Sequence, residues 1–67
     1  MKVRDLRGLL RRSGCLEVRQ SESHLIVRCG TCQTVVPIHS GDIPVGTLKS
    51  IVRDLTPCIG KDWLTNE

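Results

Sequence analysis

The chain of 67 residues carries ten lysines and arginines against seven aspartates and glutamates, a formal net charge of +3. A chain this short makes one domain, residues 1–67, and buries only about 60% of the surface its unfolded form exposes, which excludes a multi-lobed enzyme and predicts support from a staple or a partner. With one tryptophan and no phenylalanine or tyrosine, modules that stack unpaired bases on a sheet of aromatics are disfavoured. Any contact with nucleic acid then runs through phosphate, sugar hydroxyl and shape.

In chain order, Val3, Leu6, Leu9 and Leu10 recur at helical spacing, with Arg4, Arg7, Arg11 and Arg12 on the other faces. This predicts a first helix over residues 2–13, ended by Gly14. Arg11 and Arg12 suit its last turn, where cations complement the helix dipole, and they suit a polyanion equally well. Three short runs rich in β-branched residues follow, over residues 16–20, 25–29 and 34–38. The breaks between them, Ser21-Glu22-Ser23 and Gly30-Thr31, are short enough for hairpins and predict an antiparallel meander. Pro37 cannot donate to a ladder, so the third strand is an edge or ends there.

A loop over residues 39–44 precedes a second amphipathic helix marked by Leu48, Ile51, Val52 and Leu55. Thr47 caps it or Pro44 begins it one turn earlier, and Pro57 and Gly60 close it. Residues 61–64 add a terminal turn that packs Trp63, unless the chain end frays. Helix, three strands, helix is an α+β order. Two helices side by side on one face of a three-stranded antiparallel sheet resemble the double-stranded-RNA-binding domain. Alternation puts His24, Ile26 and Arg28 on one side of the second strand and Leu25, Val27 and Cys29 on the other. Both sets contain apolar residues, so alternation alone does not choose the side the helices cover.

His24, behind Ser23, is the residue with the most chemistry. Imidazole ordinarily titrates near neutrality, so an accessible one beside a hydroxyl and a cation can move protons at a phosphate. Arg28 shares strand parity with His24 and is the first candidate cation, with Lys49 and Arg19 as the others. His39, after the third strand, is a candidate acid partner or a plain loop histidine. Ser23 reads as a phosphate contact or a turn cap.

Nothing in the sequence reaches membrane-span length, and no apolar core of a signal peptide is present, which predicts a cytoplasmic chain. In that compartment Cys15, Cys29, Cys32 and Cys58 are expected as reduced thiols. Cys29-Gly30-Thr31-Cys32 is also half of a zinc knuckle, and Cys29 and Cys32 are the zinc candidates if a further ligand completes the site.

Taken together, Arg4-Asp5-Leu6, Leu9-Leu10 followed by Ser13-Gly14, Val18-Arg19-Gln20, Ser23-His24, Val36-Pro37-Ile38-His39 and Gly46-Thr47-Leu48-Lys49-Ser50-Ile51 resemble the HicA toxins, small mRNA interferases of toxin–antitoxin pairs. The resemblance runs from Val3 to about Leu55. It implies a fold like the double-stranded-RNA-binding domain, endoribonuclease action on mRNA, inhibition by a HicB-type antitoxin, and a catalytic histidine at His24; the sequence shows no evident metal cluster of carboxylates, so no cofactor is expected. Two departures stand out. Glu22-Ser23-His24 replaces the usual Gly-Ser-His, bringing a carboxylate close to the histidine. Cys15 and Val27 occupy places where the family commonly has aromatics, which bears on substrate preference.

The economical chemistry for such a chain is attack by the RNA's own 2′-hydroxyl on the adjacent phosphorus, with His24 as acid or base and a cation on the phosphoryl oxygens. Two other function classes fit the same sequence: a non-catalytic RNA-binding module of this fold, and a small zinc-binding interaction domain.

Overall fold

The computed structural model describes residues 1–64. Its elements are α1 (Val3–Arg12), β1 (Leu16–Gln20), β2 (His24–Cys29), β3 (Cys32–Pro37) and α2 (Val45–Ile59), and the sheet is antiparallel in the order β1-β2-β3. The expected order and architecture hold.

Helix α1 ends as its sequence requires. Gly14 takes φ 86°, the left-handed region that a side chain disfavours, and this lets Cys15 N–H reach Leu10 O at 3.0 Å and Gly14 N–H reach Arg11 O at 3.1 Å. Those two bonds make a Schellman ending and satisfy carbonyls that the helix leaves without partners.

Helix α2 agrees with the expectation at Gly60 and differs from it at Pro57. Pro57 lies inside it, and Gly60, at φ 71°, closes it. A proline in a helix withdraws the N–H that would bond the carbonyl four residues back, here that of Arg53, and its ring crowds that carbonyl. Here the chain is held on either side, by Thr56 Oγ1 donating to Val52 O at 2.6 Å and by Gly60 N–H donating to Thr56 O at 2.9 Å. The terminal turn then buries Trp63, whose Nε1 donates to Gly60 O at 2.9 Å.

The core settles the face that alternation left open. Leu25, Val27 and Cys29 of β2 and Val36 of β3 are buried together with Leu6, Leu9 and Leu10 of α1 and Ile51 and Leu55 of α2. Helices therefore cover that side, and the side bearing His24, Ile26 and Arg28 is open. Thr34 is the buried polar residue of the sheet, and its hydroxyl donates to Asp54 Oδ2 at 3.0 Å, which removes the penalty of burying it.

Two disulfides staple this small core: Cys15–Cys29, joining the approach to β1 with the end of β2, and Cys32–Cys58, joining the start of β3 with the last turn of α2. The expectation of four reduced thiols is thereby corrected. It came from a compartment argument, whereas pairing follows from proximity: β1 and β2 run antiparallel with Leu16 opposite Arg28, so Cys15 and Cys29 come next to each other along the same ladder.

An ion pair ties α1 to β1. Arg7 Nε and Nη2 donate to Glu17 Oε2 and Oε1 at 2.7 and 2.8 Å, and Arg11 Nη2 lies 3.8 Å from Oε2. The hydrogen bonds from Arg7 hold the Glu17 carboxyl below the usual carboxylate range, against a smaller opposing effect of burial, and the same bonds raise Arg7.

Candidate functional site

The Ser21-Glu22-Ser23 turn builds the site from its own hydroxyls. Ser21 Oγ accepts from His24 N–H at 3.2 Å and also donates to His24 O at 3.3 Å, while Ser21 N–H donates to the same carbonyl at 2.9 Å. Short polar side chains bonding backbone two or three residues away are the ordinary means of fixing a tight turn. Ser23 O then accepts from Ile38 N–H at 2.8 Å, tying the turn to the residue after β3. The backbone of His24 is thus held from both neighbouring strands.

The imidazole is exposed, and Ser23 Oγ lies 3.1 Å from its Nδ1. With Nδ1 occupied by the serine, Nε2 is the nitrogen left for a substrate. His24 stands opposite Pro37 on the edge strand β3, where a missing N–H is tolerated, and the bond from Ile38 N–H to Ser23 O continues the pairing just beyond it.

A cleft of about 230 Å³ on the open face is lined by Arg19, Ser21, His24 and Ile26. Arg19 reaches it through a register shift. Glu17 stands opposite Val27, but Arg19 stands opposite Ile26, so Val18 is an extra residue in β1. A bulge of this kind re-aims the side chains that follow it. Without it, Arg19 would share the parity of Glu17 and belong to the helix-covered side.

Of the residues singled out in the sequence, the structure brings together His24, Ser23 and Arg19. Arg28 shares the open face, as parity requires, but stands opposite Leu16 and Gln33, four residues from His24 along β2. That separation is roughly 13 Å at strand spacing, too long for both to grip one phosphate directly. Lys49 lies on α2, on a groove lined by that helix and the terminal turn, and His39 lies with Lys2 and Arg4 on a separate cleft. Neither lines the cleft of His24. Glu22 is exposed and forms no ion pair with the histidine.

Ser21 was legible only as a turn residue, and its hold on His24 depends on the fold of that turn. The zinc reading of Cys29 and Cys32 does not stand, because the two sulfurs are bonded to different partners and a disulfide sulfur is not a thiolate ligand. Among the described residues no group of three or more His, Cys, Asp or Glu is arranged to hold a metal ion, and no helix is long and apolar enough to cross a membrane.

Comparison with known proteins gives one finding. The family model described as HicA toxin of bacterial toxin–antitoxin matches residues 3–56. No curated protein and no solved structure matches the chain.

Proposed function

Since the chain belongs to the HicA toxin family, and so to the toxins of bacterial toxin–antitoxin systems, we propose that it is an endoribonuclease that cleaves mRNA at the cleft of His24 and is neutralised by a HicB-type antitoxin. The observation that carries this reading is an accessible imidazole that shares one cleft with an arginine and has the Ser23 hydroxyl on its Nδ1.

RNA brings its own nucleophile, so the protein need supply only proton transfer and charge. His24 Nε2 takes the proton of a 2′-hydroxyl, with Ser23 on Nδ1 fixing the ring. The 2′-oxygen bonds to phosphorus, the bond from phosphorus to the 5′-oxygen breaks, and the leaving oxygen takes a proton from water, whose hydroxide takes the first proton back from His24. Arg19 stabilises the charge that accumulates on the phosphoryl oxygens. The products are a 2′,3′-cyclic phosphate and a 5′-hydroxyl. Arg28, further along the same face, serves a flanking phosphate, where a cation adds affinity without touching the reacting atoms.

The test is incubation of a defined mRNA with purified protein in chelator, wild type beside His24→Ala, with product ends identified. Wild type is expected to leave cyclic phosphate ends and to spare the corresponding DNA, and folded His24→Ala is expected to be inert. Cleavage of DNA at a similar rate would rule out the 2′-hydroxyl as nucleophile. If folded, antitoxin-free wild type binds RNA and never cuts it, the chain is a binding module of the same fold.

A further inference from the structure

Helix α2 gives the sheet Ile51 and Leu55, both buried. Its solvent side is not uniformly polar. Val52, Thr56 and, from the terminal turn, Leu64 are half-buried and line a groove of about 520 Å³, with Lys49, Arg53 and Lys61 also lining it. Thr56 has committed its hydroxyl to Val52 O. The groove therefore offers an apolar floor and a cationic margin; among the described residues no carboxylate lines it, and Arg53 Nη2 lies 3.8 Å from Asp54 Oδ1. It lies on the helical side of the molecule, whereas His24 belongs to the open face of the sheet.

The two halves of that description select an occupant. Phosphates would answer the three cations, but an apolar floor without an aromatic gives a nucleic acid nothing to stack on. A protein segment with alternating acidic and apolar side chains satisfies both, since apolar anchors carry the affinity and charge complementarity steers the encounter. A toxin of a toxin–antitoxin pair has one protein partner to which such a segment can belong, its antitoxin.

We propose that this groove is a second docking surface for the antitoxin, filled by an acidic segment whose apolar side chains rest on Val52 and Leu64 and whose carboxylates face Arg53 and Lys61. The inference rests on the toxin reading given above. It makes neutralisation bipartite: one contact blocks the cleft of His24, and a separate one holds the antitoxin on α2.

The experiment titrates the full chain with its intact cognate antitoxin by calorimetry at low and high salt, comparing wild type with the surface variants Arg53→Glu/Lys61→Glu and Arg53→Gln/Lys61→Gln. Both variants are first shown to melt like wild type and to arrest growth when expressed without antitoxin. The charge reversal is expected to weaken binding at least tenfold, the neutral variant less, and the salt dependence seen in wild type is expected to shrink in both. In cells the reversed variant is expected to escape neutralisation by co-expressed antitoxin. Unchanged antitoxin affinity would overturn the proposal alone, as would a groove occupied by a second copy of this chain in sedimentation experiments. A wild type that binds no antitoxin and arrests no growth would instead overturn the toxin reading, and this proposal with it.

Discussion

Arg19 stands opposite Ile26, one position away from where an unbroken ladder would put it. This single step carries the guanidinium from the side of the sheet that faces Arg7 to the side that bears His24. Replacing Arg19 by alanine is expected to lower the cleavage rate by about 10²–10³, the usual effect of removing one group that stabilises transition-state charge. Lysine at the same position is expected to restore part of it. Deleting Val18, which removes the extra residue, is expected to lose as much activity as Arg19→Ala although every proposed catalytic side chain is retained. Single-turnover rates on one RNA, with folding checked by circular dichroism, decide this.

Ser23 acts on the ring rather than on the substrate. Ser23→Ala removes the hydrogen bond at Nδ1, worth about 0.5–1.5 kcal/mol, so the turnover rate is expected to fall by roughly two- to tenfold with little change in KM. Ser23→Thr keeps the hydroxyl and is expected to keep most of the rate. A fall confined to KM would make Ser23 an RNA contact instead.

The Glu17 carboxylate gives the fold an acid-sensitive link. Its folded pKa is depressed by Arg7, so its contribution is complete above the unfolded carboxylate value of about 4.3 and is lost as pH falls through the lower folded value. At this partly exposed position the pair contributes about 0.5–1 kcal/mol. Glu17→Gln is expected to lower stability by that amount at pH 7 and to match wild type near pH 2. Urea unfolding across that range measures the difference.

The disulfides close loops with sequence separations of 14 and 26 residues. For loops of that size each bond contributes about 3 kcal/mol, chiefly by restricting the unfolded chain. Cys15→Ser/Cys29→Ser is expected to lower the melting temperature by more than 10 °C in so small a domain, and treatment of wild type with excess dithiol is expected to lower it further. An unchanged melting curve after complete reduction, verified by mass, would show that the helices and sheet carry the stability alone.

Periodicity was enough for the elements, because the apolar positions of α1 and α2 and the β-branched runs of the meander are local properties of the chain. It placed His24 and Arg28 on one face correctly, since alternation within an unbroken strand is local too. It misjudged Pro57, whose helix is held together on both sides by Thr56 and Gly60. It also ranked Arg28 above Arg19, because parity counts faces and not distance along a strand.

By itself, the sequence determined the order of elements, the family frame and the histidine around which a site could form, all written in residue types and short spacings. Only the tertiary structure decided which face of the sheet stays open, which cysteines meet and which arginine joins the histidine. Those three depend on register and on the packing of segments distant in sequence, and a one-residue bulge in β1 is enough to exchange one face for the other.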